Sequence, residues 1–268
     1  MSNFYKIETK DHKALLQSNV TKDYKKAPPN IVYNINNIDK KIAEKLEISD
    51  RMFKIVEREA QITVKDHKED FMNNTKCRLI NPTKSEIGKI SKSLLREKIN
   101  IIKNKTNLNQ WKDTSCVKRW FVSLPQKNAH SFIQWDFVNF YPSITEPLLK
   151  KAIEWAKDYV NFTDDEIEII LQARKSVIIH EGSPWIKREG DSFDVTMGSY
   201  DGAEICELIG LYILFLLRNI RGSAGLYRDD GLMALRGSPR QIEIKKKEIC
   251  KILKETGIDI TIKANLKI

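Results

Sequence analysis

Residues Tyr227–Gly231 read YRDDG, between two apolar arms, AGLYR (Ala224–Arg228) before and GLMAL (Gly231–Leu235) after. Asp-Gly flanked by apolar arms is the strongest short hairpin signal, so a β-hairpin with Asp-Gly at its tip is expected. Taken alone, Asp and Gly are also what an ordinary solvent-facing turn uses. The apolar arms weaken that reading, because they place the tip against the protein. Two neighbouring carboxylates repel each other there and need cations.

A further carboxylate lies in IQWDFVNFYPSI (Ile133–Ile144), where Asp136 ends an apolar strand between Trp135 and Phe137. A lone Asp at that place reads as a turn cap. If its strand lies beside the 227–231 hairpin, however, Asp136, Asp229 and Asp230 converge at the edge of one sheet. Convergent carboxylates suit hard divalent cations such as Mg²⁺, which bind few protein oxygens and complete their shells with water and phosphate. Two such ions about 3.5–4 Å apart form the clamp for in-line phosphoryl transfer.

Outward from these acids the chain reads as α+β. Residues 1–60 are polar, Lys-rich and helix-prone, broken by Pro28-Pro29. AQITVKDHK (Ala60–Lys68) and CRLINP (Cys77–Pro82) read as strands of a hairpin with EDFMNNT (Glu69–Thr75) as its loop. A basic amphipathic helix is expected over Ser85–Lys105. Ile133–Ile144 passes from strand into a helix capped by Ser143 or Thr145, and a second helix is expected over Thr163–Ile179. Glu181–Ser199 has the texture of a short hairpin and loop, Asp201–Ile220 of an apolar helix, and Ser238–Thr256 of a basic helix. Ile258–Ile268 alternates as a final strand. It has no cap and no following element, so an exposed edge and a continuing reading frame are expected.

The formal charge is +10 and the pI about 9.3. That excess favours a polyanionic partner, nucleic acid or an anionic membrane surface. The longest apolar run, Glu207–Leu217, is shorter than the roughly 20 residues a membrane span needs, which leaves nucleic acid. Cys77, Cys116, Cys206 and Cys250 show no C-x-x-C spacing and read as reduced thiols of an intracellular protein.

YRDDG resembles the [YF]-x-D-D hairpin of reverse transcriptases, DFVNFYPSI the preceding Asp strand of that family, and ITVKDHK…CRLINP its fingers hairpin. Penelope-like, retron and group II intron-like branches remain open. The resemblance spans roughly residues 61 to 268 and implies a right-hand polymerase fold: a helical N-terminal extension (1–60), fingers (61–130) and a palm with an antiparallel sheet (131–268, fingers helices interleaved), with the thumb absent. It implies an RNA-templated DNA polymerase of a mobile element, adding dNTPs to a DNA or RNA primer. By this resemblance Asp136 and Asp229, with the Phe137 carbonyl, hold two Mg²⁺ ions (Mn²⁺ as a substitute), and Asp230 supports them. Tyr141 closes over the sugar and excludes a 2′-hydroxyl; read by itself, it is packing at a helix start. Lys65, Lys68 and Arg78 grip the triphosphate; otherwise they are solvated hairpin cations. Met197 and Gly198 fall in the middle motif beside the nascent pair, where many relatives carry Gln and a Ser-Pro that this chain lacks, and Asp201 and Glu204 add negative charge there. Lys263 matches a lysine that protonates pyrophosphate. The basic stretches within Ser85–Lys105 and Ser238–Thr256 would run along a primer–template backbone; a solvated amphipathic face explains the second about as well. The alternatives are an RNA-templated RNA polymerase and a catalytically inactive, truncated remnant that only binds nucleic acid.

Overall fold

The computed structural model describes residues 7–51, 58–65, 75–189, 192–220 and 222–267. In chain order its elements are α1 (Thr9–Asp23), β1 (Tyr24–Lys26), α2 (Ile31–Lys45), β2 (Gln61–Val64), β3 (Cys77–Ile80), α3 (Glu86–Thr106), β4 (Asn109–Gln110), α4 (Thr114–Ser123) and β5 (His130–Phe137). Then follow α5 (Phe140–Ser143), α6 (Glu146–Ala156), α7 (Asp164–Gln172), β6 (Ile178–His180), β7 (Ser183–Lys187), α8 (Gly202–Leu217), β8 (Gly222–Tyr227), β9 (Asp230–Arg236), α9 (Pro239–Glu255) and β10 (Ile260–Lys267). The chain divides into two compact units, each built from two separate stretches: Met1–Ser93 with Asp164–Gly202, and Leu94–Thr163 with Ala203–Ile268.

In the first unit, β1, β7 and β6 form an antiparallel sheet with β7 central. Strand side chains alternate between faces. Ile178 and Trp185 pack with Leu16 and Val20 of α1, while Val177, Ile179 and Ile186 pack with Ile35 of α2. A strand buried on both faces is apolar at every position, so its periodicity cannot be told from that of a helix. The helix expected over Thr163–Ile179 accordingly ends at Gln172, and Ile178–His180 is strand. The β2–β3 hairpin pairs Arg78 with Thr63; its loop lies outside the described residues.

In the second unit, a five-stranded sheet runs in the order β10-β5-β9-β8-β4. It is antiparallel except at β4, a short parallel edge strand on β8 that the sequence reading did not foresee. On one face Phe132 and Ala234 meet Trp111, Trp120 and Leu124. On the other, Gly210 brings α8 against Leu226, and Ile133, Trp135 and Met233 are fully buried. β10 occupies the far edge, paired to β5 along its length. Of the two proposed caps on the helix after β5, Thr145 accepts from the Leu148 N–H, whereas Ser143 ends α5.

Candidate active site on the central hairpin

β8 and β9 form the expected hairpin, with the turn two residues earlier than expected. Tyr227 pairs with Asp230, so the two-residue turn is Arg228-Asp229, not Asp-Gly. Arg228 takes the left-handed conformation (φ 54°) that Gly was expected to supply. Gly231 instead lies within β9, opposite Trp135. A Cβ there would stand 1.9 Å from the Trp135 ring, so close packing rather than turn geometry requires glycine at this position.

This shift brings the acids together. Asp136 and Asp230 are direct partners in the β5–β9 ladder, and the Phe137 N–H donates to the Asp229 carbonyl at 3.0 Å. Directly opposed residues project from the same face. That is the face of Phe132 and Ala234, which lie four register pairs further along the same ladder. Asp136 and Asp230 are half-buried, and Asp229 is exposed at the tip. The carboxylate donor chemistry fits a hard divalent cation. The side chains do not converge on one point: among the described residues no group of three or more His, Cys, Asp or Glu is gathered to hold a metal ion.

Tyr141, on α5 just past β5, is drawn to the same corner. Its phenol pKa is pushed up to about 12, first by burial, then by Cys206, with which it is hydrogen-bonded. The Arg228 charge opposes that rise and the nearby Asp229 adds to it, so Tyr141 lies within electrostatic reach of the hairpin tip. Cys206, buried on α8, carried no signal for this contact in the sequence. Lys263 lies on β10 where the register with β5 shifts, two residues beyond Thr261, the partner of Asp136.

The other candidate residues lie in the first unit. Met197 bridges Ile80 at the end of β3 in parallel, and the Asn81 N–H donates to the Met197 carbonyl at 2.8 Å. Gly198 has φ 104°, and a Cβ on it would meet the Asn81 carbonyl at 2.4 Å, so only glycine allows this approach. Asn81 is buried, its amide donating to the Val177 carbonyl at 3.0 Å and accepting from the Thr83 N–H. It is the anchor that joins the Met197–Gly198 loop to the strand carrying Arg78; the Asn-Pro dipeptide was its only trace in the sequence. Asp194, just ahead of this loop, accepts from the Tyr24 hydroxyl at 2.6 Å, which ties β1 to the loop. The Lys65 N–H closes the hairpin ladder onto the Lys76 carbonyl at 2.8 Å, while Lys68 lies outside the described residues.

Asp201 and Glu204 do not present charge to solvent. Asp201 is fully buried, paired with Arg174 and accepting from the Ser91 hydroxyl at 2.6 Å. Glu204, 5% exposed, is paired with Arg96 at 2.7 Å. Both acids sit at the start of an apolar helix where only matched cations make their burial tolerable.

No protein-family model matches the chain, and no curated protein does. Solved structures do. The telomerase of Candida albicans, in complex with a fragment of telomeric RNA, superimposes with TM-score 0.57 at 11% identity, covering 94% of this chain and 45% of that one. The RNA-dependent RNA polymerase of bacteriophage phi12 gives 0.55 at 9%, over 86% and 44%. That of a human picobirnavirus gives 0.54 at 11%, over 98% and 56%. The fold is therefore the one these right-hand polymerases share. More particularly, its neighbours are of the reverse transcriptase and RNA-dependent RNA polymerase kind. The chain spans about half the length of each of these structures.

Proposed function

We propose that this chain is the catalytic part of an RNA-templated nucleic-acid polymerase that extends a primer 3′-hydroxyl, and that its nucleotides are dNTPs. The observation that carries the reading is the pairing of Asp136 with Asp230 beside the Asp229 tip, in a fold shared with telomerase and viral RNA polymerases. Three carboxylates at one sheet corner concentrate negative charge that a divalent cation would offset. Divalent magnesium held by Asp136, Asp229 and the Phe137 carbonyl would supply Lewis-acid activation of the primer hydroxyl and neutralise phosphate charge. Asp229, exposed at the tip, has the rotamer freedom to close onto such an ion. Asp230 would hold the corner through the ladder, and Lys263 is the candidate proton donor to pyrophosphate.

Arg78 would grip the triphosphate through its planar fork, with Lys65 and Lys68 as further cations. The Met197–Gly198 loop, braced on Asn81, would line the nascent base pair with backbone. The half-buried Tyr141 ring, within electrostatic reach of Asp229, is the candidate gate against a 2′-hydroxyl and supports the deoxynucleotide reading. An RNA product is the second reading, favoured by the two viral RNA polymerases among the neighbours.

Primer extension on an RNA template with Mg²⁺, run with dNTPs and separately with NTPs, tests both readings. Extension with dNTPs that falls at least about 10³-fold in the Asp229→Ala, Asp230→Ala double variant is expected, the scale of removing a main charge-stabilising group. Extension with NTPs alone would move the assignment to an RNA polymerase. No extension by the parent chain with either would sink it.

A further inference from the structure

We infer that the outer face of α9 is a docking surface for a nucleic-acid phosphodiester backbone, a second contact away from the carboxylate corner. This inference rests on the nucleic-acid partner of the function proposed above. Arg240, Ile244, Lys247, Lys251 and Lys254 recur every three or four residues, which at 3.6 residues per turn sets them in one stripe. The stripe lies opposite Ile242, Ile249 and Leu253, the residues by which α9 is buried. All four cations are exposed. The acids beside them are engaged elsewhere: Glu248 pairs with Lys245 at 2.7 Å and Glu243 with Lys246 at 3.7 Å. Glu255 marks the C-terminal end of the stripe. Among the described residues no ion pair involves Arg240, Lys247, Lys251 or Lys254.

Stability does not account for this pattern. Arg240 sits in the first turn of α9, where the helix dipole disfavours a cation, and that turn holds no acid. Ile244 is 55% exposed in the middle of the stripe, where it offers apolar contact to a sugar or base. From Arg240 to Lys254 the stripe is about 21 Å long at 1.5 Å per residue. That length matches about six phosphates of one strand at roughly 3.4 Å each.

Each cation that neutralises a phosphate releases a counterion, so the stripe is read in the salt dependence of binding. Fluorescence anisotropy of the full chain with labelled single-stranded RNA, and with an RNA–DNA duplex, would be measured over a KCl series without nucleotide. The variant carries Arg240→Gln, Lys247→Gln, Lys251→Gln and Lys254→Gln. Its slope of log K against log[KCl] is expected to be shallower by about 3, roughly 0.7 to 0.9 per lost contact. A Lys245→Gln, Lys246→Gln control should keep the parent slope. A fall on only one of the two nucleic acids identifies that one as the occupant. A slope within about 0.7 of the parent on both, less than one lost contact, overturns the inference. So does polyglutamate that displaces RNA from the parent as strongly, charge for charge, which would point to an acidic protein. Because no nucleotide is present, a changed slope stands even if primer extension fails, and an unchanged slope leaves the polymerase proposal intact.

Discussion

α3 and α9 are both long, basic, amphipathic helices, and their sequences invite the same reading; the structure puts their charges to opposite uses. On α3, Lys89 pairs with Glu86, Arg96 with the buried Glu204 and Lys103 with Glu207. Lys105 donates to the Tyr159 carbonyl at 2.7 Å, and Lys98 is buried over the Phe162 ring. On α9 the inner lysines engage the helix's own glutamates and the outer stripe is left open. A run of lysines therefore does not say whether it faces an external polyanion or the protein's own acids. Apart from Glu86, the acids that decide it for α3 lie roughly a hundred residues away in sequence, 108 positions for Arg96–Glu204. Of the two helices expected to track nucleic acid, the inference above rests on α9.

That contrast can be broken by mutation. Arg96→Ala should cost the most, about 2–3 kcal/mol, because it strands the buried Glu204 carboxylate, whose Oε2 has no hydrogen-bond partner among the described residues. Urea unfolding measures it; a loss under about 0.5 kcal/mol would make the α3 pairs ordinary surface pairs.

Next in size is Asp39, a buried acid with no cation paired to it among the described residues. Its pKa is raised to about 6 by burial, against which the Gln172 hydrogen bond works. The folded state thus holds this proton more tightly than the unfolded state does, and the stability it contributes at low pH is lost as pH rises from about 4 through about 6. Asp39→Asn should flatten unfolding free energy across that window and leave the protein about 1–2 kcal/mol more stable than the parent at pH 7. Equal pH profiles for the two chains would show that Asp39 has found a counter-charge.

The smallest effect sharpens the same comparison. Lys251→Ala should change stability by less than about 0.5 kcal/mol, since an exposed cation with no ion pair among the described residues supports nothing in the fold. A larger loss would mean that the α9 stripe is structural like α3.

Much of the fold was legible locally. The 3.6-residue rhythm marked α3, α8 and α9, alternation marked β10, and apolar arms around two acids marked the β8–β9 hairpin. What escaped was set by distant partners. The β6 strand was hidden because α1 and α2 bury both of its faces. The hairpin turn fell on Arg228-Asp229 because Gly231 was needed beneath Trp135, a contact between residues almost a hundred positions apart. Cys206 beside Tyr141 had no local signal at all.

By itself, the sequence determined which residue types stand at the candidate positions and the order in which they come: the acids at 136, 229 and 230 with the aromatic at 141, and separately the glycine at 198. Only the tertiary structure decided the pairing of Asp136 with Asp230, the seating of Gly198 on Asn81, and which cations stay open to a partner. Strand register and charge pairing depend on what stands opposite, and neither partner is near in the chain.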